Sequence, residues 1–303
     1  QKIVLVKAEL DGYRTVETGV ALTVSPFEIR VKADDFSKIY GEADPEFTAT
    51  VSPYYEGEVK PDDGYEIQYD SEFLRQPGED VGEYIIYAGG NTLQDDGNYK
   101  VYFENGMLTI TPAERERDIV ITNYSGQYDG NPHTITVTGT VEGDQIEYSY
   151  DNGLTWSGVL EEYTDATPEV GIVVRVTNTN YVPAEIYKVG TVTITPFEML
   201  VKANDVSKTY GEADPEFTAT VSPYYEGEVK PDDGYEIQYD SEFVRQPGED
   251  AGTYTIYAGG NTTQDDGNYI VHFENGTLTI NQANRPASVA VDPYEGVYDA
   301  NSH

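Results

Sequence analysis

The sequence contains no cysteine. Disulfides, zinc–thiolate sites and thiol catalysis are excluded in one step. Histidine numbers only 3, so the usual acid–base chemistry is thin as well. Basic side chains number 18 against 55 acidic ones, and the formal net charge is −37. Phosphate binding needs Lys/Arg patches that release counterions, and none is visible, so no nucleic-acid partner is expected. No apolar run approaches the roughly 20 residues that span a bilayer, and Gln1 does not begin a signal peptide. No membrane contact is therefore expected in this segment.

What is present argues for a folded chain. Aromatic residues make up 12% of the total, and Tyr, at 27, is three times as frequent as Phe, at 9. Disordered chains are poor in aromatics because they bury little. A folded, strongly anionic surface keeps molecules soluble and apart, and it attracts cations. Length alone, 303 residues, suggests about two domains.

Internal repetition revises that number. Pro26-Phe27-Glu28 recurs as Pro196-Phe197-Glu198, and the same spacing of 170 residues carries the run from Tyr40 onto Tyr210, Tyr128-Asp129 onto Tyr298-Asp299, and His133 onto His303. Each repeat holds two different modules of about 85 residues, too small to bury a large core alone. One type spans residues 27–112 and again 197–282. The other is whole only over 113–196, and residues 1–26 and 283–303 resemble its end and its beginning. The natural protein is therefore expected to continue in both directions.

Differences between the two near-identical copies serve as an internal experiment. Tyr99-Lys100-Val101-Tyr102-Phe103 becomes Tyr269-Ile270-Val271-His272-Phe273, so alternate positions are kept. Tyr84 and Ile86 reappear as Tyr254 and Ile256, while Glu83 and Ile85 become Thr253 and Thr255. Changes spaced by even numbers mark strands with one face buried. Tyr65–Tyr69 and Phe47–Val51 read as further strands, and the Asn-Gly of Glu104-Asn105-Gly106 predicts a hairpin. A helical turn after Asp44-Pro45 is the most helix the sequence suggests. Pro196 joins two strand patterns with no Gly/Ser linker, which predicts stiff junctions and an end-to-end array.

The pattern Lys38-Ile39-Tyr40-Gly41-Glu42-Ala43-Asp44-Pro45, then Arg75-Gln76-Pro77-Gly78-Glu79-Asp80, then Asn98-Tyr99 and the closing Leu108-Thr109-Ile110, resembles the MBG repeats (YGX type) of bacterial surface proteins. Its second copy runs from Lys208 to Asn281. Tyr128-Asp129-Gly130-Asn131-Pro132-His133 and Thr177-Asn178-Thr179-Asn180-Tyr181 resemble the YDG-type, Ig-like repeats that accompany them, although Ala300 replaces the glycine in the C-terminal fragment. The resemblance implies an all-β chain of tandem small β-sandwich (Ig-like) modules arranged end to end, with a β-grasp-like variant as the alternative for the MBG-like modules. It implies a large secreted or wall-anchored bacterial protein and no catalytic residues.

Few motifs carry chemistry. Ser149-Tyr150-Asp151-Asn152-Gly153-Leu154-Thr155-Trp156 matches the Asp-box pattern of sialidases, which describes a hairpin whose Asp binds the turn backbone while Trp packs beneath. One box without an arginine cluster does not make a sialidase. Asp95-Asp96 and Asp265-Asp266 offer hard oxygen ligands to calcium but lack the spacing of a calcium loop, and exposed turns have the same composition. Lys32, Lys202 and Asn281 are weak candidates for an isopeptide cross-link. His133 and His303 are lone histidines in polar turns and read as hydrogen-bonding groups. Tyr54, Tyr55, Tyr224, Tyr225 and Trp156 are the candidate ligand-binding side chains, since rigid amphipathic rings are enriched at recognition surfaces.

The expectation is a non-enzymatic structural segment of an extracellular stalk, spacer or adhesin fibre, at the bacterial surface or secreted. Its partners would be neighbouring modules, with host or neighbouring-cell proteins or glycans recognised through Tyr and Trp as the alternative. Self-association by the incomplete ends is a further candidate.

Overall fold

A computed structural model of the chain describes residues 2–285, 293 and 295–301. They fall into two compact units, one drawn from residues 2–119, 139–146 and 175–187 and the other from 120–138, 147–174 and the described residues after 187.

In the first unit, β1 (Lys2–Ala8) and β2 (Val16–Leu22) form an isolated antiparallel pair, with Lys2 opposite Leu22. Eight strands follow: β3 (Phe27–Ala33), β4 (Phe36–Ile39), β5 (Ala49–Pro53), β6 (Leu74–Arg75), β7 (Gly82–Tyr87), β8 (Leu93–Gln94), β9 (Tyr99–Glu104) and β10 (Gly106–Thr111). They make two four-stranded sheets in the orders β5-β3-β9-β8 and β4-β10-β7-β6. The β3/β9 and β4/β10 pairs are parallel and the rest antiparallel.

Period-2 alternation builds two small cores. Ile29 and Val31 of β3 meet Tyr99 and Val101 of β9. Ala33, at the end of the same strand, joins Ile86, Leu108 and Ile110 in a second cluster. β3 thus feeds both cores. Burial of each Ile or Leu contributes about 1.5–3 kcal/mol.

The second unit repeats this plan from Phe197 to Asn281, including the cluster of Ala203, Ile256, Leu278 and Ile280. It also contains the strand residues 124–127, 167–174 and 188–195, with Ile172, Val174, Val192 and Ile194 buried. The fold is all-β. Among the described residues there is no α-helix, so a β-grasp-like packing has no helix to lay across its sheet. Likewise, no helix there is long and apolar enough to cross a membrane.

Three expectations are corrected. Asn105-Gly106 is not a hairpin: β9 and β10 belong to different sheets, and the dipeptide carries the chain between them. Gly106 is required because a Cβ there would lie 2.5 Å from the carbonyl oxygens of both Ala33 and Asp34, while Asn105 Oδ1 accepts from Ala88 N–H at 3.1 Å. Tyr65–Tyr69 alternates in burial without joining a ladder; the buried Gln94 side chain instead accepts from Gln68 N–H at 2.8 Å and donates to its carbonyl. The helical turn lies not after Pro45 but at Asp95–Gly97 and again at Asp265–Gly267, as 3-10 turns.

Candidate functional site: module joints and their bracing

The signature residues of the repeated module brace it internally. β4 turns Lys38 inward, leaving its side chain 4% exposed. Its Nζ donates to Glu42 O (3.0 Å), Asp44 Oδ1 (2.7 Å) and Glu79 Oε2 (2.7 Å). Arg75 clamps Asp44 through Nε (2.6 Å) and Nη2 (3.2 Å), pairs with Glu79, and donates to the carbonyls of Gln76 and Gly78. Lys208, Asp214, Arg245 and Glu249 repeat the network. Two loops, before β5 and between β6 and β7, are thereby cross-linked through one buried ammonium.

The pKa shifts follow from this geometry. Hydrogen bonds from Arg75 and then Lys38 hold the Asp44 carboxyl low, and those from Lys38 and then Arg75 do the same for Glu79. Burial pulls Lys38 down, but Asp44 and Glu79 outweigh it and the net direction is up. The carboxylate contributions are therefore present above their ordinary values of 3.8 and 4.5 and are lost as pH falls below them. The lysine contribution is lost only above 10.5. We expect Lys38→Ala to cost about 2–3 kcal/mol by urea unfolding, less than a fully buried pair because Glu79 is open to solvent. The variant should also lose part of the acid sensitivity below pH ~4. An unchanged urea midpoint would show that the bracing contributes nothing.

Each unit contains a joint between a repeated module and part of the intervening one. In the first unit Asn180 is the pivot. Its Oδ1 accepts from Val81 N–H at 2.8 Å, its Nδ2 donates to Asp80 Oδ1 at 2.8 Å, and its carbonyl accepts from Ala113 N–H at 3.0 Å. Ala113–Glu114 pairs in parallel with Tyr181–Val182, and the Tyr181 ring meets Tyr40 edge-on at 5.5 Å. The guanidinium of Arg115 lies over the same ring, 5.3 Å from its centroid.

In the second unit the pivot is Tyr128. Its ring is 5% exposed and meets Tyr269 edge-on at 5.6 Å. Its hydroxyl donates to Asp233 Oδ2 at 3.2 Å, the oxygen that also accepts from Tyr269 at 2.5 Å. Lys230 Nζ holds the other oxygen of Asp233 at 2.7 Å. Burial, and then the Asp233 carboxylate, push the Tyr128 hydroxyl up to about 12. A second contact closes the joint: Asn268 Oδ1 accepts from Ala166 N–H at 2.7 Å and its Nδ2 donates to Asp165 Oδ1 at 3.1 Å.

The structure gives the sequence candidates specific places. Asp265 Oδ2 accepts from Asn268 Nδ2 at 3.0 Å, and Asp95 from Asn98 at 2.9 Å, so these carboxylates orient asparagines. Asp96 and Asp266 are exposed at positive φ of 53° and 51°. Among the described residues no three carboxylates or imidazoles converge as metal ligands would. In the Asp-box turn, Asp151 Oδ1 accepts from Ser149 Oγ (2.7 Å), Leu154 N–H (3.1 Å) and Thr155 N–H (2.9 Å), and Oδ2 from Thr155 Oγ1 (2.6 Å). The Thr155 bonds lead in holding its carboxyl at about 2. Trp156 is half-buried against the turn at Gly153.

Tyr54 meets Tyr55 edge-on at 5.2 Å and lies 4.5 Å from Tyr102; Tyr224 meets Tyr225 at 5.1 Å and lies 4.0 Å from His272. All four tyrosines remain exposed. His272 thus keeps both jobs of Tyr102: packing on the tyrosine pair and binding the glutamate, Glu198 at 2.7 Å against Glu28 at 3.1 Å. His133 stacks on Tyr124 at 3.9 Å and bonds Asp129 at 2.9 Å, whereas His303 lies outside the described residues. Lys202 pairs with Glu274 at 2.6 Å.

Sequence reasoning singled out neither Lys38 nor Asn180 nor Tyr128 as working residues. For Lys38 a signal existed, since every charged member of its network recurs unchanged in the second copy.

A family model described as MBG domain (YGX type) matches residues 29–109 and 199–279, more than half of the chain. No curated protein matches. Among solved structures, a titin I67–I69 E-to-A variant is 12% identical, with 86% of this chain and 100% of that one covered at a TM-score of 0.28. The titin I9–I11 tandem is 15% identical over 84% and 100%, with a TM-score of 0.25. Drosophila N-cadherin EC1-4 is 10% identical over 92% and 82%, with a TM-score of 0.23. Likenesses this weak carry no argument about the chain.

Proposed function

Because the chain belongs to the MBG-domain family of the YGX type, a non-catalytic module type, we propose that it is a structural segment of an extracellular bacterial surface protein, working as a stalk, spacer or adhesin fibre. The modules proposed are the whole ones at 27–112, 113–196 and 197–282, with partial ones at 1–26 and 283–303. The observation that carries the reading is the joints. Asn180 in one unit and Tyr128 in the other lock a repeated module to its neighbour through side chains, with no Gly/Ser linker at Pro196. Such joints resist bending, which a spacer needs and a soluble enzyme does not. The dispersed negative charge keeps neighbouring molecules apart.

Small-angle scattering on the full chain should give the profile of a stiff rod at physiological salt. A profile typical of a compact sphere, or of freely hinged beads, contradicts it. A second reading is favoured by one feature, the exposed pairs Tyr54-Tyr55 and Tyr224-Tyr225. They would dock glycans or host proteins, with Trp156 as a lesser site. Binding on a glycan array that is lost in Tyr54→Ala/Tyr224→Ala would favour this adhesive role over the plain spacer.

A further inference from the structure

Three exchanges between the near-identical modules meet on one surface. On the outer face of the β5-β3-β9-β8 sheet, Glu28 lies opposite Lys100 and Arg30 opposite Tyr102. At the same places the second module has Glu198 opposite Ile270 and Leu200 opposite His272. Beside this block, Tyr54 and Tyr55 recur unchanged as Tyr224 and Tyr225. The first block therefore sets two cations against one carboxylate, and the second keeps the carboxylate without any Lys or Arg. In a chain of net charge −37, the first block is a local exception.

The two cations are loosely committed. Arg30 Nη1 stands 3.7 Å from Glu104 Oε2, and Lys100 Nζ stands 3.7 Å from Glu28 Oε1, both side chains being open to solvent. Bracing cations behave differently: Lys38 and Arg75 are enclosed and reach Asp44 at 2.7 and 2.6 Å. Lys100 also donates to the Tyr102 hydroxyl, so charge and aromatic ring stand side by side. A neighbouring module does not cover such a face. Tyr224 and Tyr225 are 44% and 50% exposed in the module on which Tyr128 is seated, against 42% and 55% for Tyr54 and Tyr55. The openness belongs to the module and not to its place in the chain.

We propose that this face of the first repeated module binds an acidic sugar and that the matching face of the second does not, which rests on the adhesive reading of the tyrosine pairs and narrows its ligand. Arg30 and Lys100 hold the carboxylate or sulfate, as charge-assisted donors do. The sugar's C–H groups pack on the Tyr54 ring, whose face carries partial negative charge. A saccharide fits the dimensions. The block measures about 7 Å along the strands and about 5 Å across them, room for a sugar ring. A stable protein partner would need roughly 800 Å² per side.

Calorimetry of the full chain at low salt tests this with an oligogalacturonate, a sulfated dextran oligosaccharide and neutral dextran of equal length. The expected result is one site per chain for an acidic probe, weakening as salt rises, and none for neutral dextran. The tighter of the two acidic probes tells carboxylate from sulfate. Arg30→Leu/Lys100→Ile installs residues with which the second module already folds, and it should weaken binding at least about tenfold. Leu200→Arg/Ile270→Lys/His272→Tyr should add a second site. Failure of both acidic probes to bind overturns the proposal. Dextran binding that Tyr54→Ala/Tyr224→Ala abolishes and Arg30→Leu/Lys100→Ile leaves unchanged also overturns it, while the adhesive reading stands. A poly-glutamate peptide that binds as tightly as the acidic sugars, and still binds Tyr54→Ala, overturns both.

Discussion

Asp144→Ala is expected to destabilise the first unit by about 3–5 kcal/mol, the largest effect of any single polar substitution considered. Asp144 and Arg115 form an ion pair whose side chains are 2% and 5% exposed. The carboxylate accepts from both Arg115 Nη atoms, at 3.1 and 2.5 Å, from Val141 N–H at 2.9 Å and from Asn178 Nδ2 at 3.1 Å. Burial alone would raise its pKa, but Arg115, Val141 N–H and Asn178 outweigh it and the net direction is down. Its contribution is therefore full above the ordinary 3.8 and fades as pH drops below. Removing the carboxylate strands a guanidinium in a dry site beside Tyr181, next to the joint. The double variant Arg115→Met/Asp144→Leu should recover most of the loss, to within about 1–2 kcal/mol, because apolar groups need no partner. Urea unfolding of both variants decides the matter. A single variant as stable as the parent would falsify the buried-charge argument.

Tyr128→Ala is the second large effect, expected at about 3–4 kcal/mol in the second unit. The loss combines a nearly buried ring, its edge-on contact with Tyr269 and the hydrogen bond to Asp233. Its signature separates it from ordinary core damage. Tyr128→Phe keeps the ring and should lose only about 1 kcal/mol, the hydrogen bond alone. Amide exchange in Tyr128→Ala should rise at Ala166 and Tyr235, whose N–H groups bind Asn268 and Asp233 across and beneath the joint, while Leu278 and Ile280 stay protected. Uniform deprotection of the whole unit would mean that Tyr128 serves folding rather than the joint.

The legible part of the fold was whatever repeats or alternates. Positions 99, 101 and 103 kept their identity between copies while 100 and 102 changed, and Tyr99 and Val101 are indeed the buried pair. Asn105-Gly106 misled because two different constraints select the same dipeptide. A hairpin needs positive φ, but here the glycine is small because two carbonyls crowd it. In sequence the Asp95-Asp96 and Asp265-Asp266 turns could equally supply oxygen ligands, face solvent or hold asparagine side chains. Only the contact with Asn98 or Asn268 tells them apart.

The sequence by itself determined the all-β character, the 170-residue repeat, the half-buried strands and the MBG resemblance. The first three depend on local period and on self-comparison, which a linear string carries in full, while the resemblance rests on the ordered motifs quoted for it. The tertiary structure alone decided which polar residues meet. Asp80 and Asn180 lie 100 residues apart in the chain, and Tyr128 and Asp233 lie 105 apart. Asp144 has no counterpart elsewhere in the sequence, because its repeat position would be past the last residue, so self-comparison could not single it out. Joints are made by pairs of surfaces, each unremarkable in its own strand or turn, and chain topology alone brings such pairs into contact.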